Sequence, residues 1–321
     1  MALHAILKYD SVVAERQEKE KMKKVQVLLS AYNGEKYLAE QIESILQQDY
    51  REVSLLIRDD GSTDHTLDII RAYSEQYENI AYYAGENLGV QKSFFHLMQH
   101  ADETADYYAF SDQDDVWLPE KIRRAVELLD KQDQSRPLLY SSKTTLVDAE
   151  LKEIPMKIRA SKIVPDFGNA LVENVCTGCT EVFNKRLLNL INQNTPECTI
   201  MHDWWLYLSA SSFGKVVYDL DSYILYRQHG GNQVGVSASI LGELRKRIRN
   251  SKNNNGALRR QAAEFRRIFG ANYENSQYTD WIADYKQRIN YRWNLVFSSK
   301  VHRQRKLDDL IFRVLFFLGM R

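Results

Sequence analysis

Tyr107-Tyr-Ala-Phe-Ser-Asp-Gln-Asp-Asp-Val-Trp-Leu-Pro119 decides the fold. It runs from an apolar segment, Tyr107–Phe110, directly into three carboxylates within four positions, Asp112, Asp114 and Asp115. Like charges at such spacing repel and raise one another's pKa, so stability alone does not account for them. A divalent cation would remove the penalty. In an extended segment alternate residues share a side, which predicts that Asp112 and Asp114 converge on one ion while Asp115 points away. Hard oxygen donors of this kind suit Mg²⁺ or Mn²⁺, whose shells are usually completed by water and substrate phosphates. The stretch reads as a strand end carrying a metal–diphosphate site.

Outward from it, short apolar runs alternate with helical periods. Val25–Tyr32 reads as a buried strand that breaks at Asn33-Gly34, and a helix follows with Leu38, Ile42, Ile45 and Leu46 on one face. Val53–Ile57 is a second strand, and the next helix carries Leu67, Ile70 and Tyr73. A third strand lies near Ile80–Tyr83, with a helix from about Gly89. Tyr107–Ser111 is the fourth strand, and Pro119 stands at a favoured first helical position ahead of Ile122, Val126 and Leu129. Such alternation predicts the α/β class, with a mostly parallel, doubly wound, Rossmann-like sheet whose ligands bind outside the strand carboxyl ends. All the acidic clusters fall at those ends.

Beyond Leu139 the pattern is less regular. Leu139–Val147 reads as a strand, 149–168 as a loop, Thr180–Phe183 as a strand and Asp203–Phe213 as a helix. Two short strands, Lys215–Tyr218 and Tyr223–Tyr226, close the domain. The expected division is an N-terminal extension over 1–23, a catalytic domain over 24–240, and a basic helical C-terminal region over 241–321. Formal net charge is zero, yet the segment from Leu241 carries about +11, an asymmetry that points to an anionic partner. The odd set Cys176, Cys179 and Cys198 suggests reduced thiols and a cytoplasmic setting. Cys176-Thr-Gly-Cys179 has redox or zinc spacing but no second pair, so buried small residues near a turn are expected. No apolar run reaches the roughly 18 residues that span a bilayer.

After the second strand, Gly61 supplies a turn and Ser62, Thr63 or Asp64 caps the next helix. Capping does not require the pair Asp59-Asp60. A carboxylate at a strand end can accept the ring N–H of a uracil or thymine. Leu29-Ser-Ala-Tyr-Asn-Gly34, Arg58-Asp-Asp-Gly-Ser-Thr-Asp64, Glu86-Asn-Leu-Gly89, Ser111–Pro119, His202-Asp-Trp204 and Tyr226-Arg-Gln-His229 follow one another over residues 24–235. In content and order they resemble the inverting, GT-A-fold glycosyltransferases of family 2. The Ser-Asp-Gln-Asp-Asp-Val-Trp, His-Asp-Trp and Tyr-Arg-Gln-His set looks most like bacterial rhamnosyltransferases of cell-wall and capsular polysaccharide assembly.

The resemblance implies a division of labour. Ala31 and Tyr32 would line the nucleobase pocket, Asp60 or its neighbour Asp59 would bind the base, and Lys92 would reach base or ribose. Asp112 would contact ribose or metal, and Asp114 the metal bridging the diphosphate. Asp203 would be the general base taking the acceptor proton, although a helix start also makes it a candidate N-cap. Arg227 and His229 would help the leaving group, His229 as a metal ligand or else a plain surface histidine. Thr177 and Gly178 would border the acceptor. The implied donor is a dTDP- or UDP-sugar, the acceptor a glycan or lipid-linked glycan, and the cofactor Mg²⁺ or Mn²⁺.

The tail has two readings. Ile248, Phe265, Ile268 and Phe269 among arginines 245, 247, 249, 259, 260, 266 and 267 suit interfacial helices on anionic lipid, or a basic solvated bundle. Leu310–Leu318 is apolar nearly all round and too short to span, so it docks on the catalytic domain or dips into the membrane. Peripheral contact with the inner face of the membrane is the expectation. No recognised nucleic-acid module is present. A sugar nucleotidyltransferase would carry a Gly-rich, Arg-bearing loop after its first strand, where this chain has Ser30-Ala-Tyr-Asn-Gly-Glu35. A non-catalytic scaffold would have no need of Asp114 or Asp203.

Overall fold

The computed structural model describes residues 22–155, 162–228 and 256–319. The expectations for residues 1–21, His229, Ile248 and arginines 245, 247 and 249 lie outside the described residues. β1 (Val25–Ala31) is central, parallel to β2 (Val53–Asp59) on one side and to β4 (Tyr107–Ser111) on the other, with β3 (Ile80–Ala84) beyond β2. β1, β2 and β4 read as continuous apolar runs because the middle of a parallel sheet is covered on both faces, whereas β3 at the edge is largely exposed. Alternation nonetheless sorts their side chains. Val25, Val27, Leu29, Leu55 and Ile57 join one core with α1 (Leu38–Leu46), α2 (Thr66–Gln76) and α4 (Lys121–Leu129). Leu28, Leu56, Tyr108 and Phe110 join another with α3 (Val90–Gln99), the short α5 (Phe167–Ala170), α6 (Lys185–Gln193) and α7 (His202–Phe213).

The sheet continues beyond β4 with mixed directions. β7 (Val182–Asn184) is antiparallel to β4 and to β6 (Leu138–Val147). β8 (Lys215–Arg227) runs parallel to β6, and β5 (Val116–Trp117) closes that edge, antiparallel to β8. The full order is β3-β2-β1-β4-β7-β6-β8-β5.

Several sequence expectations are corrected. The two short strands after residue 214 are one 13-residue strand. The polar interruption Asp219-Leu-Asp is absorbed where the β6–β8 register jumps from Ser142↔Asp219 to Lys143↔Ser222. Thr180 lies in a 3₁₀ turn, Gly178–Thr180, closed by Thr180 N donating to Thr177 O (2.8 Å), so β7 starts only at Val182. Pro119 precedes its helix, which begins at Lys121.

The C-terminal region shares the second core. α8 (Ala257–Phe269) buries Phe265 completely against Trp205, ring centroids 5.3 Å apart, and beside Phe167 and Tyr273. An interfacial role for Phe265 is thereby overturned, because its surface is already spent on the catalytic domain. α9 (Gln277–Asp284), α10 (Ile289–Phe297) and α11 (Lys306–Phe317) follow. Among the described residues no helix is long and apolar enough to cross a membrane.

Candidate active site

The parallel order β2-β1-β4 sets three strand ends side by side, with Ala31 opposite Asp59 and Leu29 opposite Ser111. Two inter-strand spacings, roughly 10 Å, separate the Asp59-Asp60 end from the Asp112–Asp115 end. That span suits a nucleoside at one side and its diphosphate at the other.

The loops above these ends are stitched together by side chains. Asn33, at φ 48°, accepts from Thr63 N (2.8 Å), and its own N–H donates to Ser62 Oγ (2.9 Å). Gly34 N donates to Thr66 Oγ1 (2.7 Å). Gln113 forms a two-point amide pair with the Tyr32 backbone, accepting from Tyr32 N (2.7 Å) and donating to Tyr32 O (3.0 Å). A Cβ at position 34 would stand 2.4 Å from Gln113 Oε1, so only glycine admits this clamp. The Tyr32 ring is left 46% exposed at the mouth, while Ala31 is buried in the strand.

Asp59 and Asp60 are both buried but differently used. Asp60 accepts from Leu88 N and Gly89 N (both 2.9 Å) and pairs with Arg58 Nη1, which ties the Glu86–Gly89 loop to β2. Asp59 Oδ2 accepts from Ser62 N (3.2 Å), whereas its Oδ1 is buried with no partner among the described residues. The spare acceptor of the pair is therefore on Asp59. Lys92 is exposed in the first turn of α3.

The acidic tip departs from simple alternation. β4 ends at Ser111, so residues 112–115 bend and the two-residue period no longer applies. Asp115 does not point away into solvent. It is fully buried, accepts from Arg227 N through Oδ1 (3.1 Å), and carries an unpartnered Oδ2. Ligand atoms of Asp112, Asp115 and Cys179 lie within 4.8 Å of one another. Asp112 is pushed up to about 7 by burial first, then by Asp114 and Asp203. Asp115 is raised by burial, then by Asp112 and Asp114. The repulsion that the sequence implies is thus present. Burial and the neighbouring carboxylates also push up the Cys179 thiol, and burial raises that of Cys176, so neither acts as a thiolate.

Asp203 sits in the first turn of α7, two residues after Met201, which holds the N-cap position in its place. It accepts from Trp204 N (2.6 Å) and Gly178 N (3.2 Å). Burial raises its pKa to about 6 against the pull of those hydrogen bonds. A Cβ on Gly178 would lie 3.2 Å from Asp203 Cβ, so the glycine permits close approach of its turn to the carboxylate. Thr177 is half-buried beside it.

Arg227 occupies a different place from a leaving-group clamp. Only 2% exposed, it donates to Asp114 O (2.8 Å), Ala149 O and the Glu40 carboxylate, and it stacks on Tyr37 at 4.4 Å. It holds the acidic tip from behind. Sequence reading also missed three buried groups. Lys121, its ammonium 3.5 Å over the Trp117 ring, is lowered to about 7 by burial. It lies at helical spacing from the buried Ala125 and Leu129, a signal that was available. Glu181 has both carboxylate oxygens buried and unpartnered, and burial, then Asp203, raises its pKa well above the usual carboxylate range. Gln41, its amide oriented by the network, donates to Asp115 O (2.5 Å) and accepts from Trp117 Nε1 (3.1 Å). Nothing in its sequence context marks Gln41 out.

The donors suit a divalent cation. They are hard carboxylate oxygens, and a carboxyl raised to about 7 by burial and by its acidic neighbours gains from added positive charge. This has a thermal consequence. Asp112 is raised from 3.8, so its contribution to stability is full below about pH 4 and lost as pH rises through about 7. Mn²⁺ should therefore raise the melting temperature clearly above pH 7 and little near pH 5. Differential scanning fluorimetry across that range checks it.

Fold and site together define a GT-A glycosyltransferase. Residues 26–170 match the family model described as glycosyl transferase family 2. The dTDP-rhamnosyl transferase RfbG of Shigella flexneri is 32% identical over 229 residues, covering 68% of this chain and 77% of that protein. The putative glycosyltransferase EpsE of Bacillus subtilis is 40% identical over 110 residues, 34% of this chain and 39% of that one. The chain belongs to glycosyl transferase family 2 and is a glycosyltransferase. Its fold is shared with S. aureus TarS 1-349 in complex with UDP-GlcNAc, at TM-score 0.56 and 18% identity over 92% of this chain and 81% of that one. It is shared also with the mannosyltransferase PcManGT of Pyrobaculum calidifontis in complex with GDP-Man and Mn²⁺, at TM-score 0.52 and 15% identity over 94% and 83%.

Proposed function

We propose that this protein transfers L-rhamnose from dTDP-β-L-rhamnose, with inversion, to a hydroxyl of a polysaccharide or lipid-linked glycan, giving an α-rhamnoside. The observation that carries the reading is the placement of Asp203, a carboxylate at the start of α7 that accepts from Trp204 N and Gly178 N and acts electrostatically on Asp112 in the acidic tip, with burial raising it to about 6. A base poised just below neutral pH is ionised in the cell and still basic enough to take a proton from an alcohol. Inversion asks for one base opposite the leaving group and no nucleophile.

The remaining groups take supporting parts. Asp59 Oδ1 offers the free acceptor for a pyrimidine N–H, with Asp60 shaping the loop beside it, and Tyr32 stacks on the base. Lys92 stands at the ribose side. Asp112 and Asp114 would hold Mg²⁺ or Mn²⁺, which supplies charge neutralisation for the departing diphosphate. Thr177 and Gly178 border the acceptor hydroxyl, and Arg227 fixes the tip. His229 would meet the diphosphate. The dTDP-rhamnosyl transferase RfbG supports the donor assignment. We place the enzyme in the cytoplasm, at the inner face of the membrane where a lipid-linked acceptor is presented.

A thermal-shift panel at fixed Mn²⁺ tests the donor. The largest stabilisation is expected with dTDP-rhamnose, and a larger one with UDP-sugars would replace the assignment. Tight binding at about a hundredfold excess over Kd contributes about 2.7 kcal/mol, enough to read as a shift of several degrees.

A further inference from the structure

We propose that α10 and α11 present one face that docks flat on an anionic lipid surface. On α10, Ile289, Trp293 and Phe297 recur at four-residue spacing and are 63%, 46% and 75% exposed. On α11, Leu310, Val314 and Phe317 line one side, 58%, 49% and 47% exposed. The Trp293 ring meets Phe297 at 5.6 Å and Phe317 at 5.3 Å, which joins the two stripes into one patch. The opposite sides of the same helices are already used, with Leu295, Phe312 and Phe316 fully buried. The exposed apolar face is therefore surplus to folding.

Charge selects the occupant. Lys286, Arg288, Lys300 and Lys306, which flank the two helices along the chain or open the second, are exposed, and among the described residues none has a carboxylate within 4.0 Å. Between residues 286 and 319 the acids are Asp308 and Asp309, already engaged by Arg305 and Arg313. A second copy of the chain would bring the same cations face to face. Neither helix can cross a bilayer, so an aromatic face with flanking cations lies in the headgroup plane.

The face is also fixed to the acceptor side. Gly168 lies so close to Lys300 O that a Cβ there would fall 1.9 Å from it, Asn169 Nδ2 donates to His302 O (3.1 Å), and Glu173 accepts from Gln304 N (2.7 Å). That segment runs on to Gly178, whose N–H holds Asp203. The docking face deepens the membrane-side placement above and rests on it only for its purpose, since the helices lie outside the catalytic groups.

Flotation of the full chain with phosphatidylglycerol–phosphatidylcholine vesicles tests it, with dTDP-rhamnose hydrolysis measured on the same preparations. The wild type should float with the mixed vesicles and not with pure phosphatidylcholine. Phe297→Ser with Leu310→Ser should weaken binding about tenfold or more. A triple variant, Lys286→Gln, Lys300→Gln and Lys306→Gln, keeps the apolar face. It should weaken binding about a hundredfold, each lysine near an anionic leaflet contributing roughly a factor of five. Soluble donor hydrolysis should be unchanged in both. No flotation of the wild type, equal flotation on neutral vesicles, or variants that float as the wild type does would overturn the proposal. So would a dimer, without vesicle binding, that Phe297→Ser dissolves. Correct flotation with no hydrolysis in any preparation would leave the docking face standing and remove the donor assignment instead.

Discussion

Asp203→Asn should cut sugar transfer by roughly a hundredfold to ten-thousandfold while leaving nucleotide binding near its wild-type level. The substitution keeps shape and one acceptor oxygen, so the bond from Trp204 N survives. What it removes is proton affinity at a carboxylate that accepts from the Gly178 turn and whose charge is felt at Asp112 in the acidic tip. Wild-type transfer should also rise with pH through about 6 and then level, because the base must be ionised and burial has lifted it there from 3.8. Steady-state transfer together with calorimetric nucleotide titration separates the two roles. Equal loss of binding and transfer would reduce Asp203 to a structural anchor of α7, and a pH profile without that rise would assign the proton to another group.

How much of this was legible beforehand depends on where local rules hold. The parallel half of the sheet was readable because its inner strands, such as β1, are buried on both faces and end in polar breaks such as Asn33-Gly34. The far half was not, because β8 crosses Asp219-Leu-Asp by a register jump that only its pairing with β6 reveals. The acidic tip was located by charge, but its geometry was misjudged at Asp115. Period-two reasoning needs an extended backbone, and the chain bends immediately after Ser111. Arg227 was assigned to the leaving group only through the resemblance of Tyr226-Arg-Gln-His229 to the family's motif. Its donors are in fact spent on Asp114 O, Ala149 O and Glu40, contacts drawn from three separate segments. Phe265 and Phe269 read as a lipid face through periodicity, yet the same periodicity serves docking on Trp205.

Asp114→Ala should abolish the Mn²⁺ dependence of donor binding and weaken the donor by roughly a hundredfold or more, since a cation clamping a diphosphate supplies several kcal/mol. Two ligand sets compete for the ion. One is Asp112 with Asp114, at the open side of the tip. The other is the compact group Asp112, Asp115 and Cys179. The compact group is the poorer host. Burial raises the Cys179 thiol, so it stays protonated, and sulfur is a soft partner for Mg²⁺ or Mn²⁺. Asp115 Oδ1 already accepts from Arg227 N, and its side chain is sealed from the solvent through which a diphosphate would arrive. Isothermal titration of dTDP with and without Mn²⁺ decides between the sets. Cys179→Ser should keep the metal dependence intact and Asp114→Ala should erase it. The reverse pattern would move the ion inward, behind the strand end, and leave the diphosphate to be held by other groups.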